Sequence, residues 1–464
     1  MAGQQVLQAV GPSYYLNDRK SAVQRSINLW MMAIEGLGEQ NAPVLESAPG
    51  LSLFYTFPGS IRGMRNADGR LFVVAGSGLY ESTSTGVVSR GTLATSSGYV
   101  SMVNGENQLA LVDGANLYVL DLKTNTLAAS TSAGWLGSNL VEFMDGYFIF
   151  AEPSTERFYI SSVDDASTLN ALDFSSADTQ PDDVIAIAVA RHELFLMGSR
   201  SIEVWINSGA SDFPFVRYQG TPIDVGIVGY RAFTGAGSAF VWVGQSIKGG
   251  PYVYQLNGYQ PQRISTQSVE QQLAKVTDLS QVRCYSYQEA GAEFVAIDGP
   301  GLQTTWVYDL ALQQWHERGE LSNGQWSPSR IEHVSFYNGR LYAAGGTKLY
   351  TMSRNYRDLA GDPLVRERTW AHLVSPSYEP VSYRALELRC TTGDTTAGNI
   401  TLEVSNDGGA VFGAPLIRSL GAPGRRVSRV RWGPLGTCPA GGSRVHRIRC
   451  SDAVPLTIQG ATIV

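Results

Sequence analysis

Gly69-Arg70-Leu71-Phe72-Val73-Val74, followed by Gly76-Ser77-Gly78-Leu79-Tyr80, sets a pattern: a turn, an apolar strand, a small-residue turn, then a strand carrying an aromatic. It returns as Asn107-Gln108-Leu109-Ala110-Leu111-Val112 with Leu117-Tyr118, as Gly146-Tyr147-Phe148-Ile149-Phe150 with Phe158-Tyr159-Ile160, and as Leu194-Phe195-Leu196-Met197 with Val204-Trp205. Three more copies follow: Phe240-Val241-Trp242-Val243 with Tyr252-Val253-Tyr254, Phe294-Val295-Ala296-Ile297 with Trp306-Val307-Tyr308, and Arg340-Leu341-Tyr342 with Lys348-Leu349-Tyr350. The spacing is roughly 40 to 55 residues, the size of a four-stranded propeller blade. One small sheet cannot bury both its faces, whereas radial stacking lets each blade cover its neighbours. The fold expected is all-β: a β-propeller of about seven blades, six being the alternative, over residues 52–355. Unrelated hairpins in one or two sandwiches are the competing reading.

On either side of the repeats the texture changes. Residues 1–51 read as an N-terminal extended segment. Polar Ser353 to Glu367 reads as a linker. Beyond it, Leu386-Glu387-Leu388-Arg389-Cys390 and Ile400-Thr401-Leu402-Glu403-Val404 alternate with period two, as half-buried antiparallel strands do. Residues 356–464 are therefore expected to hold a linker and a small C-terminal β-sandwich. Between the fifth and sixth copies, Ser268-Val269-Glu270-Gln271 fits a capping box with Ser268 as the cap, predicting a short helix.

Composition agrees with this class. Charged residues are only 16% of 464, with 50 glycines and 10% aromatics, which suits turn-rich β structure with surface reserved for contacts between subunits. A net charge of −6 argues against general nucleic-acid affinity. Cys284, Cys390, Cys438 and Cys450 stand far apart, so a reduced, cytosolic folding history is expected. The N-terminus meets Arg19 and Lys20 early and shows no apolar signal core, and no apolar run is long enough to span a bilayer.

Candidate chemistry is sparse. Asp164-Asp165 and Asp182-Asp183 are paired carboxylates, but neighbours on a strand face opposite ways, so turn formation is the better reading. Ser405-Asn406-Asp407-Gly408-Gly409 is similar to an Asp-box and reads as a hairpin turn. His316-Glu317 opens like a zinc-protease motif, yet position 320 is Glu, and His192, His333, His372 and His446 are isolated. Neither a catalytic centre nor a cofactor or metal site is expected. From Gly409 to Ser451 the chain holds Arg418, Arg425, Arg426, Arg429, Arg431, Arg444, Arg447 and Arg449 with no Asp or Glu. Arg425, Arg426, Arg429, Arg431, Arg444, Arg447 and Arg449 are candidates for docking an acidic protein partner, or for phosphate contact. A solvated face balanced by acids from elsewhere is the plain alternative.

Several stretches share an order with one family. Asn28, Pro49-Gly50-Leu51 and Ile61-Arg62-Gly63 come first. Leu172-Asp173-Phe174-Ser175-Ser176-Ala177-Asp178 with Gln180-Pro181-Asp182 follows, then Gly198-Ser199-Arg200-Ser201-Ile202-Glu203-Val204-Trp205 with Asp212-Phe213-Pro214-Phe215. Thr305-Trp306-Val307-Tyr308-Asp309-Leu310 with Trp315-His316-Glu317-Arg318 ends the series. Together they resemble the packaged-DNA stabilisation proteins of short-tailed phages, also called tail accessory or tail-hub proteins. The resemblance implies a structural virion component, assembled in the host cytoplasm as a ring, usually a hexamer. It would lie below the portal or head-to-tail adaptor, extend the DNA channel and help retain packaged DNA. Tail needle, tailspike or fibre proteins would be its other neighbours, double-stranded DNA only passing cargo, and membrane insertion is not expected. Two other readings remain: a carbohydrate-binding or sialidase-like hydrolytic propeller, which needs Arg, Tyr and carboxylate groups converging at the propeller centre, and a monomeric binding propeller.

Overall fold

The computed structural model describes residues 5–18, 21–33, 43–83, 86–178, 180–220, 223–237, 239–246, 248–375, 377–394, 396–426 and 429–464; Arg19 and Lys20 lie outside them. Each repeat read above forms the second and third strands of one antiparallel blade. In blade 1 these are Arg70–Ala75 and Gly78–Thr83, flanked by Ile61–Ala67 inside and Gly86–Thr92 outside. Leu71, Phe72, Val73 and Val74 are all buried, two residues facing each neighbour. This explains why the middle strands are near-continuous apolar runs: both their faces are covered. Blades 2 to 6 repeat the plan, their inner strands being Ser101–Asn104, Val141–Met144, Val184–Ala190, Phe233–Ala236 and Arg283–Glu289.

Blade 7 differs. The chain supplies His333–Tyr337, Arg340–Gly345 and Lys348–Ser353, and the outer strand is Gly50–Thr56 from near the start of the sequence, antiparallel to Lys348–Ser353. Phe57, Ile61, Leu71 and Val73 then pack with Tyr342, Ala344 and Leu349, joining the first blade to the last. Among the described residues the propeller has seven blades, the larger of the two numbers considered.

The sandwich is likewise not made from the C-terminus alone. One sheet runs Leu29–Met32, Val44–Ser47, Thr457–Ile463, Leu386–Cys390, Val430–Trp432, with Gln5–Leu7 added to Thr457–Ile463. The facing sheet holds Arg366–Thr369, Ser443–Cys450, Asn399–Ser405 and Leu416–Ser419. Leu29, Leu45, Trp370, Leu388, Leu402, Trp432, Ile448 and Ile458 fill the space between them. Residues 1–51, expected as an extended segment, thus carry strands where they are described. The strand Val23–Ile27 goes further: Ile27 pairs in parallel with Glu317 of blade 6, while Arg25 to Ile27 pair antiparallel with Glu367 to Thr369 of the sandwich. A single hydrogen-bonded sheet therefore passes from blade 6 into the sandwich.

The helix between blades 5 and 6 spans Gln267–Leu273, and its N-cap is Thr266, not Ser268. The capping-box reading is corrected here. Ser268 lies inside the first turn, where its hydroxyl donates to the Tyr15 carbonyl at 2.6 Å and accepts from the Tyr15 N–H at 3.1 Å. A distant strand took the hydroxyl that local spacing assigned to the helix end.

Candidate docking surface and its structural support

The seven candidate arginines fall into three groups. Arg425 and Arg426 lie exposed in the loop that follows Leu416–Ser419. Arg429 and Arg431 sit on the outer face of the sandwich, where both reach one acid: Arg429 lies 3.0 Å and Arg431 3.1 Å from Glu387. Val430 and Trp432 point into the core between them, the alternation of a half-buried strand. Their side chains stay 72% and 57% exposed, so both charges remain available to a partner.

Arg444, Arg447 and Arg449 occur on the strand Ser443–Cys450 and are engaged internally. Arg444 is buried, donates to the carbonyls of Leu435 and Gly436, and stacks 4.8 Å from the Tyr383 ring centroid. Arg447 bonds Glu403 at 2.7 Å and lies 3.6 Å from the Phe412 ring centroid. Arg449 bonds Glu367 at 2.7 Å and reaches Glu403 at 3.5 Å. These acids come from other strands, which a count within the segment could not register.

The Arg449–Glu367 pair belongs to a charged network at the propeller–sandwich junction. Glu317, fully buried at the base of blade 6, pairs with Arg25 and accepts from the Thr304 hydroxyl at 2.6 Å. Burial would raise the Glu367 carboxyl, but Arg449, Arg25 and Arg447 outweigh it and hold Glu367 below the usual carboxylate range. Tyr15, Arg25, Trp326, Phe412, Arg447 and Arg449 frame a cleft of about 580 Å³ at this junction. Alongside, the Arg368 guanidinium is buried and donates to the carbonyls of Ala9, Gly11 and Pro12 and to the Ser26 hydroxyl, which fastens the N-terminal strands.

The carboxylate pairs hold turns. Asp165 accepts from the Ser167 N–H, the hydroxyls of Ser167 and Thr168, and the Gln108 amide, and these bonds bring its carboxyl to about 2 against the effect of burial. Asp182 accepts from the N–H groups of Arg200 and Ser201. Asp407 accepts from Ala410 and Val411 N–H, each at 3.0 Å, and Gly408 and Gly409 both have positive φ, forming the expected turn. His316 and His446 are buried, and burial lowers both well below the ordinary imidazole value. No group of three metal-ligating side chains occurs among the described residues.

Sequence reasoning gave Arg62 and Gly63 no role beyond their place in the family order, and it missed a second set of residues altogether. Arg62 donates to the carbonyls of Gly76, Thr95, Ser97 and Gly98, pinning the crossing from blade 1 to blade 2. Beside it Gly63 has no room for a side chain, since a Cβ there would lie 2.3 Å from the Val100 carbonyl oxygen. The other set is Arg65, Tyr99, Glu142 and Arg231, which converge at the propeller centre. Each stands on or beside the inner strand of a different blade, so only the blade register could have joined them.

A family described as Bacteriophage P22 Gp10, beta-propeller, matches residues 25–344, and one described as Bacteriophage P22 Gp10, beta-sandwich, matches residues 368–464. The chain belongs to the bacteriophage P22 Gp10 family. Within the Gp10 family, the tail hub protein gp10 of Salmonella phage P22 is 24% identical over 249 residues, covering 50% of this chain and 51% of that protein. The match thus spans about half the length of that relative. Among solved structures, the extracellular domain of BT4673 from B. thetaiotaomicron is 10% identical with a TM-score of 0.44, covering 88% of this chain and 59% of that one. PorZ of Porphyromonas gingivalis is 11% identical with a TM-score of 0.39, covering 82% and 46%. No helix among the described residues is long and apolar enough to cross a membrane.

Proposed function

We propose that this protein is a structural, non-enzymatic tail component of a short-tailed phage, placed in the virion as a hub. It forms a ring, a hexamer by analogy, below the portal or its adaptor, extends the DNA channel and helps retain the packaged DNA. The propeller, taken as residues 52–355, and the sandwich, taken as 356–464 with the N-terminal strands that complete its sheet, are its two working parts. The observation that carries this reading is the successive match of both Gp10 parts along one chain, propeller first and sandwich second. The exposed Arg425, Arg426, Arg429 and Arg431 face supports docking onto an acidic neighbour, because exposed guanidiniums pair well with carboxylates. Arg444, Arg447 and Arg449, engaged inside the sandwich and at the propeller junction, leave that role to the other four. The test is electron microscopy of tails assembled with and without the chain, read beside DNA retention. A ring beneath the portal, with DNA lost when the chain is omitted, is the expected result. Particles that keep their DNA and show no missing density without it would reject the assignment.

A further inference from the structure

The propeller axis holds a half-open cavity of about 280 Å³, lined from the inner strands of blades 1, 2, 3, 5, 6 and 7 and the residues just before them. Its charge is uneven. Arg231 stacks on the Tyr99 ring, 4.4 Å from the centroid, and Tyr99 is itself stacked on His333, with centroids 6.0 Å apart and planes at 7°. Arg65 is exposed on the inner strand of blade 1 and also lines the cavity. Among the described residues neither guanidinium has a carboxylate within 4 Å or a hydrogen-bond partner. The third arginine nearby, Arg283, is already spent: it lies 2.5 Å from Asp298 and 3.1 Å from Glu332.

We propose that this axial cavity binds a small free oxyanion, a carboxylate or a phosphate, clasped by Arg65 and Arg231 over the Tyr99–His333 stack. A guanidinium presents parallel N–H donors that match two oxygens of such an anion, and the half-buried Arg231 side of the cavity strengthens that pairing relative to open water. What distinguishes the site from a structural ion-pair cluster is that neither guanidinium is bonded to a carboxylate, Glu142 acting on Arg65 only at a distance. The volume admits an anion of a few heavy atoms.

The site also carries its own pH dependence. Glu142, on the inner strand of blade 3, is raised to about 7 by burial, with Arg65 opposing. Facing it are Arg65 of blade 1, Tyr99 before blade 2, Tyr230 and Arg231 before blade 5, Arg283, Cys284 and Tyr285 of blade 6, and Glu332 and His333 of blade 7. Burial keeps the Tyr99 phenol, the Cys284 thiol and the Tyr285 phenol protonated at neutral pH, and keeps His333 uncharged. Glu142 is therefore the group whose charge changes near neutrality. Once ionised it repels an incoming anion; once protonated it leaves the guanidiniums free.

The test is calorimetric titration of the full chain with sodium acetate and with sodium phosphate against sodium chloride at fixed ionic strength, with acetate repeated at pH 6 and pH 8. Saturable binding of one or both anions is expected, acetate or phosphate alone showing which shape the site takes. Acetate should bind several-fold more weakly at pH 8. Arg231→Gln should abolish binding, Arg65→Gln should weaken it about tenfold, a loss of one charged contact, and Glu142→Gln should erase the difference between the two pH values. Melting curves check folding; because Arg65 is exposed, Arg65→Gln remains readable if Arg231→Gln fails to fold. Absence of saturable heat with either anion, or unchanged affinity in a folded Arg65→Gln protein, would overturn the proposal.

Discussion

Asn28 holds a left-handed backbone, φ 54°, at the point where the chain leaves blade 6 for the sandwich. Its amide donates to the carbonyls of Gly319 and Val365, each at 2.8 Å, and its side-chain oxygen accepts from the Gly319 N–H at 3.1 Å. Asn tolerates this conformation better than other non-glycine residues, and here its side chain is also the bridge between the two parts. Asn28→Ala should cost about 3 kcal/mol, from three buried groups left unpaired and a less tolerant backbone, and a denaturant melt would read it. The arginines divide at the same scale. Reversing Arg429 and Arg431 together to Glu should leave the melting temperature of the isolated chain nearly unchanged, since exposed pairs contribute about 0–1 kcal/mol. In assembled particles the same variant should lose packaged DNA, and full retention would remove these residues from docking. Arg444→Met should do the reverse: a loss of stability, on the order of 1–3 kcal/mol for the lost charged hydrogen bonds to Leu435 and Gly436, with unchanged docking in any protein that folds. Seven arginines in sequence looked like one patch because spacing does not reveal which acid each one meets.

Among the elements, the blades were readable and the lacing between them was not. Strands such as Leu71 to Val74 or Phe294 to Ile297 are apolar on both faces and bounded by turns, a signal contained within a dozen residues. Val23–Ile27 carries no such signal: Gln24, Arg25 and Ser26 look like loop residues, and their partners lie near positions 317 and 368. The helix cap failed for the same reason, Ser268 being claimed by Tyr15 across the fold. The axial groups were invisible singly, each being one polar residue near an inner strand. The strand Arg366–Thr369, paired to Val23–Ile27, also bears on how acid acts on the molecule. Glu367 is held below its ordinary value in the folded state, so the unfolded chain takes up its proton first on acidification. The stability it provides is complete above its unfolded value, near 4.3, and is lost as pH falls through the folded one. Melting temperature should therefore drop between about pH 5 and pH 3, and Glu367→Gln should start lower at neutral pH but show a shallower drop. An equally steep acid transition in that variant would assign the effect to other carboxylates.

At the scale of the whole molecule, the first part of the chain completes both halves: Gln5–Leu7, Leu29–Met32 and Val44–Ser47 belong to the sandwich, and Gly50–Thr56 closes the propeller. A fragment of residues 365–464 alone should lack the edge of one sheet and remain unfolded by circular dichroism. Co-expression with residues 1–58 should restore strand signal and yield a complex that copurifies. A folded lone fragment would show that the N-terminal strands are accessory. The arrangement also has a clock in it. On the ribosome, Gly50–Thr56 is made early, but its partner Lys348–Ser353 emerges about 300 residues later, and Gln5–Leu7 must wait for the strand Thr457–Ile463 at the far end of the sequence. At ordinary rates of synthesis the closing strand stays without its mate for roughly 15 to 60 seconds. During that wait Leu51, Leu53 and Tyr55 sit on an open strand edge that could pair with the wrong chain. Translation speed and chaperone supply should thus govern how much of this protein reaches the assembled state, more than its final stability does.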